Sequence, residues 1–220
     1  MHRRQFLTIT VSSVGGLLVY SLGRLPASAA APGNTVKIPL RFFSEEEALD
    51  IGAAAARIFP SDDSGPGAQE AGVVLYIDRQ LAGPYGRDRH RYTQPPFDEG
   101  TPPEFGYQGK ATPRDIYKEG MNTIAGLRRL SAEEQDRKLH DIENTVFFAL
   151  LRTNTIEGMF CDPMHGGNTG MAGWQMIGFP GPRMSYFNEI DQYNGRALRP
   201  KPVSLRQASG KPARPSEEEL

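Results

Sequence analysis

Between residues 45 and 157, apolar side chains recur every three or four positions in four stretches, the period of helices that bury one face. In the first, Ala48, Ile51, Ala55 and Ile58 share a side with Phe59, and Pro60 stops the run because it has no N–H for the preceding turn. Ser44-Glu45-Glu46-Glu47 ahead of it reads as a capping box, with Ser44 as N-cap and Glu47 reaching back. A second helix is expected from about Ala68 to Leu81, with Val73, Val74, Ile77 and Leu81 on one face, ended by Gly83-Pro84-Tyr85-Gly86. Thr112-Pro113 opens a third, with proline at the first helical position, running through Ile116, Ile124 and Leu127 to about Leu130. A second capping box, Ser131-Ala132-Glu133-Glu134, starts a fourth. Its stripe of Leu139, Ile142, Val146 and Leu150, with Phe147 and Leu151 beside it, is the strongest in the chain and extends to Glu157. Strand patterns are weak and there is no internal repeat. The expected fold is mainly α: a small set of packed helices carrying long irregular loops rich in proline, glycine and aromatic residues.

The stretches between these helices differ in character. Residues 30–43 read as an extended lead-in and 61–67 as a loop. Residues 83–112 combine many prolines and glycines with Tyr92, Phe97, Phe105 and Tyr107, so regular structure is not expected. A disordered linker rarely keeps so many aromatics, and this segment reads as an ordered excursion over another surface, the chain's own or a partner's. Residues 158–186 are glycine-dense and need a specific loop path. From Arg196 the chain carries Pro200, Pro202, Pro212 and Pro215 with few apolar residues, a tail expected to stay mobile or to wrap a partner.

The beginning of the chain is an address. Arg3 and Arg4 precede Phe6-Leu7 and an apolar run to Leu22, no acidic residue occurs before Glu45, and Ala27-Ser28-Ala29 forms a small-x-small site with cleavage expected after Ala29. The paired arginines followed by Phe6 and Leu7 resemble a twin-arginine signal, the route for proteins exported already folded. The alternative is a retained membrane anchor, for which this run, diluted by serine, threonine and glycine, is marginal against the ~20 apolar residues a bilayer span needs. The expected organisation is a signal at 1–29, a helical domain at 30–195 and a flexible tail at 196–220, located in the periplasm. The chain has 25 basic and 26 acidic residues; loss of Arg3, Arg4 and Arg24 with the leader leaves 22 basic and a net charge of −4. Nucleic acid is therefore not an expected partner, since binding it needs clustered positive charge.

Candidate chemistry is sparse. Cys161 is the only cysteine. It cannot pair within the chain, so it is a buried thiol or a bridge to another subunit. A single cysteine also excludes C-x-x-C-H haem attachment and an iron–sulfur cluster held by this chain alone. Neither the dinucleotide fingerprint nor the phosphate loop occurs. His90, His140 and His165 lack H-x-x-x-H spacing. No G-x-S-x-G elbow is present. The reading that remains for a stand-alone enzyme or binding protein uses Glu157, Asp162 and His165 as acid–base or metal groups. Trp174, the only tryptophan, suits either packing or an interface anchor. Glu157, just before Gly158, is placed to accept from backbone amides of the glycine-rich loop.

One string is long and unusual. Glu157-Gly158-Met159-Phe160-Cys161-Asp162-Pro163, Gly166-Gly167-Asn168, Gly173-Trp174 and Ile177-Gly178-Phe179-Pro180-Gly181 resemble the gluconate 2-dehydrogenase subunit 3 family. Arg57-Ile58-Phe59-Pro60, Asp62 and Gly67 through Gly72 are similar to its opening helix and loop, so the resemblance spans roughly 44–186. The resemblance implies the small, or gamma, subunit of a membrane-associated sugar or polyol dehydrogenase complex. Such a subunit is chaperone-like and not itself catalytic, and it holds no cofactor. The implied large partner is an FAD-dependent flavoprotein of the glucose-methanol-choline type, often with a multihaem cytochrome c subunit, and membrane association comes through the complex. Glu157, Phe160, Asp162, Pro163, Gly166, Gly167, Asn168, Gly173, Trp174, Gly178, Phe179, Pro180 and Gly181 are the implied interface, with Cys161 as a candidate intersubunit disulfide.

Overall fold

The computed structural model describes residues 6–14, 17–22, 35–90, 95–98, 100–183, 185, 187 and 201–208. Arg3, Arg4, Ala27 and Ala29 lie outside the described residues, as do 188–200 and 209–220. The backbone of the early segments forms strands β1 (Phe6–Val14), β2 (Leu17–Leu22) and β3 (Thr35–Pro39), paired antiparallel in the order β2-β1-β3. After β3 the described chain forms the helices α1 (Glu45–Ile58), α2 (Val73–Ala82), α3 (Pro113–Thr123), α4 (Ala132–Asp141), α5 (Val146–Phe160), α6 (Ala172–Ile177) and α7 (Leu205–Ala208), joined by short 3-10 turns and irregular segments. The protein is mainly α, as its periodicity predicts. Among the described residues no helix is long and apolar enough to cross a membrane.

Capping boxes set three of the helix starts. Ser44 and Ser131 form both expected boxes, with Glu47 and Glu134 reaching back to the cap amides. Thr112 forms a third with Asp115, ahead of Pro113. The hydrogen bonds from Thr112 hold the Asp115 carboxyl below the usual carboxylate range. The core runs from Phe43 to Met159 and is built where α1, α2, α3 and α5 meet. Ile51, Ile77, Leu81, Tyr117, Leu127 and Leu151 are fully buried there. Each such side chain contributes about 1.5–3 kcal/mol of burial.

Two buried carboxylates tie distant segments to this core. Asp50 of α1 accepts from the amides of Gly126 (2.8 Å) and Arg128 (3.0 Å) and pairs with the Arg128 guanidinium at 3.1 Å. Asp78 of α2 accepts from three successive amides: Arg41 (2.9 Å), Phe42 (2.9 Å) and Phe43 (3.0 Å). Arg114, in the first turn of α3, ties that helix to the end of α2, donating to the carbonyls of Leu81 (2.6 Å) and Ala82 (2.9 Å).

The expected elements need three corrections. The second helix begins at Val73, because Gly72 adopts a left-handed conformation that closes the preceding turn. The third ends at Thr123; left-handed Gly126 presents its amide to Asp50, and a 3-10 turn follows at Leu127–Arg129. The fourth is two helices. Thr145 breaks it, capping the amide of Phe148 (3.1 Å) while donating its hydroxyl to Ile142 O (2.7 Å). The restart rotates the buried face to Phe147, Leu151, Asn154, Thr155, Gly158 and Met159, and leaves Val146, expected in the stripe, exposed.

Candidate functional site

The glycine-rich segment folds back onto the C-terminal end of α5. Its path follows from side chains that bind the loop's own backbone. Asp162 caps a short turn by accepting from Met164 N at 3.0 Å. Asn168 is fully buried with φ 46°, a left-handed position asparagine tolerates better than most residues. Its amide donates to Gly158 O (2.8 Å), its Nδ2 to Cys161 O (2.8 Å), and its Oδ1 accepts from Gly173 N (2.8 Å). One side chain thus closes the loop at both ends. Thr169 N reaches Ala71 O at 3.0 Å, docking the loop beside the start of α2.

Gly167 and Gly173 are required by close approach. A Cβ at Gly167 would fall on Gly158 O, and one at Gly173 on Met159 O, both far inside contact distance. The missing side chains let α6 and its lead-in lie directly on the last turn of α5. Trp174 then enters the interior, 4% exposed, donating its indole N–H to Phe160 O at 2.7 Å. Phe179 packs edge-on against it at 5.1 Å.

The segment at 201–208, expected to be part of a mobile tail, is held against this loop. Val203 N donates to Pro180 O (3.1 Å) and Leu205 N to the second carboxylate oxygen of Asp162 (2.7 Å), with Ser204 buried. Gly181 lies against the Val203 backbone.

The expected interface residues therefore divide. Asp162, Gly167, Asn168, Gly173, Trp174 and Gly181 are buried and hold the loop's shape. Phe160, Pro163, Gly166 and Pro180 are half-buried, and Gly178 and Phe179 are exposed, as are their neighbours Met164, His165 and Ile177. For Trp174 the packing role is the one seen in this chain. Both oxygens of Asp162 accept from backbone amides, which makes it a capping group. Among the described residues no three His, Cys, Asp or Glu side chains are grouped to hold a metal ion.

The model of the family described as gluconate 2-dehydrogenase subunit 3 matches residues 45–181, more than half of the chain. The chain belongs to this family. Comparisons with curated proteins and with solved structures gave no match. The family name makes the chain a subunit of a multi-subunit dehydrogenase. The matched region ends at Gly181, so the 201–208 segment that completes this subunit's loop lies outside the family pattern.

Beside the loop sits a polar network that sequence reasoning missed. Asn154, on the buried face of α5, accepts from Tyr117 OH (3.0 Å) and donates to Tyr85 OH (3.1 Å) and to Glu157 Oε2 (3.0 Å). Glu157 also accepts from Tyr76 OH at 3.1 Å, so its partners are side chains and not the expected loop amides. Burial above all raises the phenol pKa values of Tyr76, Tyr85 and Tyr117, with the Glu157 carboxylate adding to the rise in each. The only advance signal was the i, i+3 pair Asn154 and Glu157; the tyrosines come from three distant segments.

Cys161 caps the C-terminal end of α5 as a half-buried thiol, its sulfur 3.6 Å from Gly158 O. Burial pushes the thiol up to about 11. At pH 8 only about 0.1% is then thiolate, the nucleophilic form. Alkylation by iodoacetamide is expected to rise about tenfold per pH unit from 8 to 10, where an ordinary thiol levels off above ~8.5. A plateau near pH 8.5 would show the thiol to be unperturbed. The folded chain holds this proton more tightly than the unfolded one, so its contribution to stability is full below ~8.5 and lost as pH climbs towards about 11.

Proposed function

We propose that this chain is the non-catalytic small subunit of a periplasmic, membrane-associated dehydrogenase complex acting on a sugar or polyol. Its partner is an FAD-dependent large subunit of the glucose-methanol-choline type, and a multihaem cytochrome c subunit carries electrons onward. The chain provides the twin-arginine signal through Arg3 and Arg4, and it stabilises and seats the flavoprotein. One observation carries this reading: Asp162, Asn168 and Trp174, the distinctive polar residues of the family loop, spend their polar atoms on backbone partners, while Met164, Ile177 and Phe179 of the same loop face outward. Side chains used in this way fix the loop's shape and leave its apolar groups as a surface for a partner.

The test is capture of a tagged chain from its own host's periplasm and detergent-solubilised membrane, with an absorbance scan and a non-reducing gel. The expected product is a yellow complex with a partner of roughly 60 kDa, a size ordinary for a multidomain protein, and with haem absorbance from the cytochrome subunit. A colourless, solitary chain would overturn the proposal. A band that separates only on reduction would assign Cys161 to an intersubunit bridge.

A further inference from the structure

Three segments meet at one place on the surface: 163–165, 177–181 and 201–206, joined by the bonds of Asp162 to Met164 and Leu205 and of Pro180 to Val203. Large apolar side chains stand exposed there: Met164 55%, Ile177 59%, Phe179 40% and Leu205 45%. Exposed apolar side chains brought together from separate segments mark an interaction site more often than singly scattered ones do. Among the described residues of these segments and their junction the acid is Asp162, buried with both oxygens engaged, while Lys201 and Arg206 are both exposed. The described residues of this face combine exposed apolar side chains with exposed positive charge.

Resting on the small-subunit reading above, we infer that this is the docking face for the large subunit, and that it takes a protein surface with an apolar centre and an acidic rim. Complementary charge steers the encounter and rejects wrong partners. Lys201 and Arg206 lie outside the region matched by the family, 45–181. A lipid surface fits less well. Headgroup binding draws on clusters of several basic residues or a continuous amphipathic helix, whereas among the described residues this face offers two exposed cations on short elements from three separate segments.

The test uses the tagged full chain expressed in its own host. Wild type is compared with the Lys201→Glu/Arg206→Glu double variant, with Ile177→Ser/Leu205→Ser, and with the control Lys110→Glu/Lys118→Glu, whose side chains are also exposed but near α3. An unshifted Trp174 emission maximum verifies the loop's fold in each variant. Charge reversal is expected to lower captured flavin about tenfold at physiological salt, the apolar variant to lower it comparably, and the control to match wild type. If both face variants retain flavin as wild type does, the inference fails while the subunit reading stands. If wild type itself captures no flavin, both fall. If wild type floats with phosphatidylglycerol–phosphatidylethanolamine vesicles, and charge reversal abolishes flotation without changing flavin capture, the face is a membrane contact and the inference is overturned.

Discussion

Replacing Trp174 with alanine is expected to destabilise the chain by roughly 3–5 kcal/mol, the usual cost of emptying a large aromatic site in an interior. The indole fills the space between α6 and the end of α5, packs edge-on with Phe179 at 5.1 Å, and satisfies the Phe160 carbonyl at 2.7 Å. Alanine removes the volume, the ring pair and the donor together. Trp174→Phe should cost about half as much, because it keeps most of the volume and loses the hydrogen bond. Urea unfolding followed by circular dichroism measures both, since fluorescence is lost with the only tryptophan. An unchanged midpoint in Trp174→Ala, combined with lost partner capture, would make Trp174 a contact residue and not an interior one.

Asp78→Ala should cost a similar roughly 3–5 kcal/mol, by a different route. Its carboxylate gathers the amides of Arg41, Phe42 and Phe43 at 2.9–3.0 Å, and Asp78 is itself 1% exposed. Without it, N–H groups in a partly to fully buried setting lose their partner, at about 1–3 kcal/mol for each one water cannot reach. Phe43, 2% exposed and against Tyr117, is positioned by this bond, so the core loosens with the lead-in. Asp78→Asn retains one acceptor oxygen and should fall between wild type and alanine. A thermal shift in Asp78→Ala equivalent to less than about 1 kcal/mol would show that water replaces the carboxylate.

The two variants probe features of unequal legibility. Trp174 stood out as the one tryptophan in a glycine-rich string, and its two possible roles were visible in advance; choosing between them required its burial. In the sequence Asp78 is one more polar residue on an amphipathic helix. Its partners lie 35 to 37 positions earlier, and no local pattern encodes a pairing over that distance. The same holds for Tyr76, Tyr85, Tyr117 and Asn154, whose hydroxyl and amide groups come together only when α2, α3 and α5 pack. The break at Thr145 was hidden for another reason. Ile142, Val146 and Leu150 continue a helical period across it, so the pattern fits one long helix and two offset helices equally well. The Thr145 cap and the packing of Phe147 against Gly120 and Tyr117 select the second.

Interactions that close within four residues were already determined by the sequence. These are the capping boxes at Ser44 and Ser131, the Thr112-Pro113 start, the stop at Pro60, and the placement of a glycine-dense loop after the last long helix. Hydrogen bonds of that span depend on residue type and spacing alone. Tertiary structure decided which face of α5 is buried, that Asp162 and Asn168 hold backbone and are not open to ligand, and that residues 203–205 return to close the loop. Those outcomes depend on which donors lose water when distant segments meet. A buried amide must find a partner wherever the fold puts one, and for Leu205 that partner is Asp162, 43 residues away.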